Sequence, residues 1–194
     1  MTRVGIISDT HGLLRPEAAA ALAGSDLVLH AGDIGRPEIL AHLGRIAPVT
    51  AVRGNVDEGA WAWRLPEWVT EDVGGVRIHL RHIREEVSLN GDRVDMVVTG
   101  HSHRPHLEQA DGVVHLNPGS AGPRRFRLPA TVALLEVVAG RVAVQLVELP
   151  LASDETAAGA DPRASSLHPA GMRTFLVGNL RRSPRPSGPP RENP

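Results

Sequence analysis

The chain has no cysteine and no lysine, so all 21 of its basic residues are arginine. Without cysteine there can be no disulfide scaffold, no cysteine nucleophile and no thiolate metal site. Without lysine, Schiff-base chemistry and a P-loop lysine are excluded. Aromatic residues make up only 3% of the chain, too few for a base-stacking platform. No stretch approaches the ~20 consecutive apolar residues of a membrane span. The apolar run Val4–Ile7 is too short for a signal-peptide core, and Asp9 and His11 follow at once. The expected location is therefore the cytoplasm. A formal net charge of −1 argues against stable nucleic-acid binding. What the chain does have is ten histidines, which point to imidazole chemistry.

Its 194 residues suit one domain of ordinary size. Composition divides it at about residue 150. Residues 1–150 are rich in Val, Ile and Leu with regular punctuation, as expected of a folded domain. Residues 151–194 hold seven of the 16 prolines and end in an Arg- and Pro-rich run, as expected of a flexible tail. Within that tail, the apolar island Thr174–Gly178 is a candidate for docking on the domain.

The first 55 residues follow a β-α-β-α-β rhythm: strands at Val4–Ile7, Leu27–Leu29 and Pro48–Val52, helices at Glu17–Leu22 and Pro37–Leu43. This rhythm implies a parallel sheet with right-handed crossovers. Later strands are expected at Val76–Leu80, Met96–Thr99, Val113–Leu116, Thr131–Val138 and Val142–Leu149, the last two joined by Ala139-Gly140. Two sheets packed face to face with helices outside fit this order.

The polar residues sit at the strand ends. Ser8-Asp9-Thr10-His11 follows the first strand, His30-Ala31-Gly32-Asp33 the second and Arg53-Gly54-Asn55-Val56-Asp57 the third. Arg81-His82 and Gly100-His101-Ser102-His103 follow two later ones. In an open parallel sheet the carboxyl ends of the strands converge on one crevice. Each signal alone is common, since Gly-Asp and Gly-Asn mostly mark turns. Together they bring carboxylates, imidazoles and one amide oxygen to one edge, a donor set for hard and borderline divalent metals. Seven candidate ligands, Asp9, His11, Asp33, Asn55, His82, His101 and His103, exceed one four-coordinate site. They match two metals sharing a carboxylate, a centre able to hydrolyse at phosphorus.

These motifs, with Asn117-Pro118-Gly119-Ser120, resemble the calcineurin-like metallophosphoesterase superfamily. The short length resembles its small single-domain phosphodiesterase branch, which also includes the retromer scaffold subunit. The resemblance covers residues 1–150 and implies an α/β fold: two face-to-face mixed β-sheets flanked by helices, an αββα sandwich. It implies that Asp9, His11, Asp33 and His103 bind one divalent ion. Asp33 would bridge to a second ion held by Asn55, His82 and His101. Manganese is the expected metal, with iron, nickel and zinc as alternatives. The implied activity is phosphodiester hydrolysis by a hydroxide bridging the two metals, with Asp33, Asn55 and His101 at the reacting centre. The substrate would be a small phosphoester or nucleotide-like compound. Phosphomonoester hydrolysis on the same centre, and a protein-interaction scaffold retaining the fold, are the alternatives.

Three features depart from the family pattern. His82 precedes Ile83 where the family has glycine, and the segment from His82 to His101 is short. His79 is therefore kept as a substitute ligand. Val56 follows Gly54-Asn55 where many relatives have a histidine that protonates the leaving group, so acidic leaving groups are expected. Arg53 is a candidate phosphate clamp, or else an ion-pair partner of a nearby carboxylate. Asp57 is expected to orient a ligand or a loop, and His30, just before the Gly32-Asp33 turn, is a candidate to hydrogen-bond a ligand. Arg124 and Arg125 are candidates to face the substrate. Trp61, Trp63 and Trp68 would close the domain, wall the cleft or contact another subunit of a homo-oligomer.

Overall fold

The computed structural model describes residues 1–89, 93–125 and 128–150, and the backbone of residues 172–175. Eleven strands form two sheets. The first holds β1 (Thr2–Ile7), β2 (Leu27–His30), β3 (Val49–Ala51), β9 (Thr131–Val138), β10 (Arg141–Glu148) and β11 (Met172–Phe175), in the order β11-β10-β9-β1-β2-β3. The second holds β4 (Trp68–Val73), β5 (Val76–Arg81), β6 (Met96–Val98), β7 (His106–Ala110) and β8 (Val113–Asn117), in the order β4-β5-β6-β8-β7.

Both sheets are mixed. Strands β1, β2 and β3 run parallel, as the alternating rhythm implies, and β9 returns antiparallel to β1. Strands β5, β6 and β8 are parallel, while β4 and β7 are added as antiparallel hairpins at the two edges. The inner faces meet in a core of Val4, Ile6, Leu29, Ile78, Leu80, Met96, Val98, Val114, Leu116 and Leu135. Each large aliphatic side chain so buried contributes roughly 1.5–3 kcal/mol.

The helices cover the other face of the first sheet. Helix α1 (Pro16–Leu22) starts on a proline, whose missing N–H costs nothing in a first turn. It buries Ala18 and Leu22. It lies so close to β1 that a side chain at Gly5 would press on Leu22. Helix α2 (Pro37–Leu43) buries Ile39 and Leu43, one turn apart on a single face. Both pack with Ile7, Val28, Val132 and Leu134. Over the second sheet the described residues place a 3-10 turn at Arg84–Glu86, tied to β7 by Arg84 to Glu108 at 3.3 Å.

The expected two-sheet sandwich is the observed architecture. Two described strands were not expected, β4 and β7. Both are edge strands whose side chains mostly stay in partial or full solvent, so neither shows an apolar run. Met172–Phe175 pairs antiparallel with β10, overlapping the apolar island of the tail. Otherwise the tail expected over 151–194 lies outside the described residues. No helix among them is long and apolar enough to cross a membrane.

Candidate metal centre

Five loops at the carboxyl ends of β1, β2, β3, β5 and β6 carry the seven candidate ligands, and the fold brings all seven to one crevice. They fall into two groups. In the first, Asp9, His11 and His103 place ligand atoms within 4.8 Å of one another. The second contains Asp33, His82 and His101. Asn55 joins the second group, its Oδ1 lying 3.1 Å from His82 Nε2 and 2.9 Å from His101 Nδ1. Asp33 faces both: Oδ2 is 3.8 Å from His11 Nε2 and Oδ1 is 3.2 Å from His82 Nε2.

The backbone under these residues is unusual. Asp9 (φ 54°), His11 (46°), Asp33 (54°), His101 (65°) and His103 (58°) all occupy the left-handed region. Among described non-glycine residues the only others with positive φ are Asp111 and Ala139, both in hairpin turns. Asp and His tolerate this region better than most residues. Even so, each such residue costs of order 1 kcal/mol or more. Five strained residues, all candidate ligands, mark the loops as shaped for side-chain convergence.

Neighbouring residues hold the loops. Asp57 is buried and accepts from Gly35 N–H (2.7 Å) and Gly54 N–H (2.8 Å), tying the second loop to the third. Asn117 donates to Gly100 O (2.6 Å) and Ser120 donates to Asp9 O (3.0 Å). Thus the Asn117–Ser120 tract, a family marker in the sequence, braces the first and last ligand loops. Gly32 has φ 90°, and a Cβ there would lie 2.7 Å from His82 Nδ1. Gly54 and Gly100 have no positive φ and serve instead by leaving room. A Cβ at Gly54 would overlap Asp33, and one at Gly100 would overlap the Ser8 hydroxyl.

The protonation pattern tests whether these residues fit cations. His82 Nδ1 lies 2.7 Å from Ala31 O, an acceptor, so Nδ1 carries the proton. A neutral His82 then turns the lone pair of Nε2 toward Asn55 Oδ1 and Asp33 Oδ1, both acceptors. A positive charge between them, a cation or a proton on Nε2, removes the repulsion. Burial opposes charging His82, but the hydrogen bond and charge of Asp33 prevail and raise its pKa. Burial would push Asp33 up, yet His82, the Val56 N–H and His11 hold its pKa down. In the first group, Asp9 Oδ2 accepts from Ser8 Oγ (2.6 Å) and His101 N–H (3.1 Å). Its other oxygen, Oδ1, is buried and accepts no hydrogen bond, although His103 Nε2 stands 3.3 Å away. His11 Nε2 and His103 Nε2 face each other at 3.2 Å. Burial lowers the His11 pKa, favouring the neutral ring that a metal needs. An orphaned carboxylate oxygen beside two imidazole nitrogens fits a divalent cation.

The chain matches the model of the calcineurin-like phosphoesterase superfamily domain over residues 2–140. It belongs to the calcineurin-like phosphoesterase superfamily. A protein named "Probable metallophosphoesterase" from Methanothermobacter thermautotrophicus is 34% identical over 68% of this chain and 84% of its own length. Two solved structures share the calcineurin-like phosphoesterase fold. Vps29 of Entamoeba histolytica, complexed with Zn2+, has a TM-score of 0.66 at 23% identity, covering 90% of this chain and 98% of its own. The E. coli phosphoesterase YfcE has a TM-score of 0.60 at 24% identity, covering 76% and 93%. Divalent metal ions follow from membership of this phosphoesterase family, and the two His/Asp groups are where this chain could hold them.

Arg53 and His79 are engaged away from the two groups. Arg53 pairs with Glu67 at 2.7 Å and lies 4.4 Å over the Trp63 ring. His79 points away from the crevice, its Nδ1 3.1 Å from Thr70 Oγ1 and its ring stacked on Trp68. Arg125 is close enough to His11 for its charge to lower that pKa. The sequence marks His30 as a candidate to hydrogen-bond a ligand, and the structure gives it Thr10 as partner instead. This ring is fully buried, bonds Thr10 Oγ1 through Nε2 (3.0 Å), and is held neutral by desolvation with a pKa of about 4. Thr10 in turn donates to Ile34 O, so His30 supports the first two ligand loops from below. Its position at the end of β2, beside Asp33, was the available signal.

Proposed function

We propose that this chain is a hydrolase that cleaves phosphodiesters with two divalent ions, manganese first among them, and that the activity resides in residues 1–150. Asp9, His11 and His103 hold one ion, Asn55, His82 and His101 the other, and Asp33 takes part in both. The observation that carries the reading is the placement of Asp33, with one oxygen toward each group. Membership of the phosphoesterase superfamily supports it, as does the zinc in the Vps29 relative. When bound, the ions supply an acidified water and positive charge facing the phosphoryl oxygens. The protein's own residues set the geometry. Ala31 O orients His82, Ser8 fixes one oxygen of Asp9, and the Asn117–Ser120 tract holds the loops in place. Val56 places no acid beside Asn55, so esters of acidic alcohols and phenols react fastest.

The test is hydrolysis of bis(p-nitrophenyl) phosphate and p-nitrophenyl phosphate by metal-stripped protein refilled with manganese. An Asp33→Ala variant runs alongside. The reading requires activity that depends on metal and is lost in the variant, with the diester preferred. Preference for the monoester would make the protein a phosphomonoesterase. The second reading is a protein-interaction scaffold, favoured by the exposure of Trp63 (68%) and Trp68 (50%). Two bound metals per chain with no hydrolysis of either ester would select it.

A further inference from the structure

A cavity of about 440 Å3 opens beside the second ligand group. One wall comes from the 3-10 turn (Arg84, Glu85), one from the Gly100–Pro105 loop and the floor from the outer face of β8 (His115, Asn117). His101 and Gly100 belong both to this cavity and to the ligand loops. A phosphoryl group held at the centre therefore has its organic substituent at the cavity mouth. The volume suits one small molecule rather than a polymer strand. Its lining has no Phe, Trp or Tyr, so no base is stacked there.

Its charges are unevenly matched. Arg84 pairs with Glu108 at 3.3 Å, and His106 pairs with the same carboxylate at 3.2 Å. Burial and the Arg84 charge lower the His115 pKa, so this ring is neutral at pH 7. Arg104 differs: among the described residues its guanidinium has no ion pair or hydrogen bond, and only its backbone N–H is engaged, by Ser102 Oγ at 3.3 Å. Glu85 is the one carboxylate in the lining. A carboxylate accepts hydroxyl hydrogens, whereas a free guanidinium selects an anion.

We infer that this cavity selects phosphoesters whose retained substituent is a hydroxylated group bearing a second phosphate, and that Arg104 is the specificity-determining residue. The inference rests on the proposed phosphoesterase reading and names its substrate class. Glu85 takes hydroxyls of the substituent, Ser102 offers a further hydrogen bond, and Arg104 binds the second phosphate as a fork.

The test uses two esters with the same nitrophenol leaving group: uridine 5′-(p-nitrophenyl phosphate) and its 3′-phosphorylated form, which keeps the 2′-hydroxyl. Wild-type protein should favour the 3′-phosphorylated ester at least about tenfold in kcat/KM. Arg104→Ala should bring the ratio near one, and Arg104→Lys should keep part of it. Calorimetry on zinc-loaded protein supplies a readout without turnover. Uridine 3′,5′-bisphosphate should bind more tightly than uridine 5′-monophosphate in the wild type, and with equal affinity in Arg104→Ala. Among the described residues the Arg104 side chain has no partner to lose, so its removal should leave the melting temperature in place. Hydrolysis of both esters at equal kcat/KM, or a ratio unmoved by Arg104→Ala, overturns the inference and leaves the hydrolase reading standing. An Arg104-dependent preference in binding without hydrolysis does the reverse. Equal binding of the two nucleotides without hydrolysis removes both.

Discussion

The two ligand groups are neighbours built on the same plan, yet they are held differently. In the first, Asp9 and His103 are buried, but Asp9 Oδ1 and His103 Nδ1 have no hydrogen-bond partner among the described residues. In the second, His82 is tied to Ala31, Asp33 to the Val56 N–H and His101 to Asn55, while Asn55 and His101 stand open to solvent. A buried, underpartnered carboxylate oxygen gains more from a cation than an exposed, internally bonded cluster does. The comparison teaches that the two ions should not be equivalent. On the proposed two-metal reading, an ion in the first group would be held the more tightly and one in the second would exchange with solvent.

The sharpest break is at the residue the groups share. Asp33→Ala should lower hydrolysis by on the order of 10²–10³-fold, and metal analysis should show both ions weakened. Next come substitutions that separate the groups. Asp9→Asn should remove the tight ion, and His101→Ala should leave it in place while the second is lost to mild chelation. Metal counts per chain after dialysis decide the matter, and equal losses in the two variants would erase the difference between the groups.

The buried ring beneath both groups gives a pH test. His30 has a folded pKa of about 4 against ~6.5 when unfolded, so the unfolded chain takes up the proton first as pH falls. Its contribution is fully present above pH ~6.5 and is lost progressively toward pH 4, a decline of roughly 3 kcal/mol. Urea titrations of metal-stripped protein should therefore show a shallower acid loss in His30→Gln than in wild type. Asp57→Ala frees the Gly35 and Gly54 N–H groups, and metal affinity should fall about 10–100-fold, mostly at the second group, next to Gly54-Asn55. The smallest effect is at Arg53. Its half-exposed pair with Glu67 should be worth less than ~1 kcal/mol in thermal melts. A tenfold rise in KM in Arg53→Ala would show that the side chain leaves Glu67 for the substrate.

Much of this arrangement was legible in the sequence because chemistry and punctuation coincide. Apolar runs of three or four residues announce β1, β9 and β10, and each polar cluster begins where a run stops. The crossover rhythm then puts Asp9, Asp33 and Asn55 on one edge. Strands β4 and β7 were not legible as apolar runs, since edge strands bury little. Their turns, Gly74-Gly75 and Asp111-Gly112, were the usable signals. His82 could not be told from His79 by composition. What separates them is side-chain direction: His79 faces Thr70 and Trp68 across the outer face of β5, and His82 lies just past the strand end. The supporting role of Asn117 and the left-handed backbone at five candidate ligands are long-range facts, and no local pattern reports them.

The glycines at 54 and 100 carry a consequence for anyone searching genomes with these motifs. Each is required by contact with a ligand-loop neighbour, Asp33 or Ser8, whatever reaction the protein performs. A descendant that lost every metal-binding side chain but kept the fold would still have to spell Gly at both places. Part of the signature thus records how closely the chain packs, and only the carboxylates, imidazoles and amide bear on the chemistry. A search weighted toward the glycines would collect catalysts and retired catalysts alike.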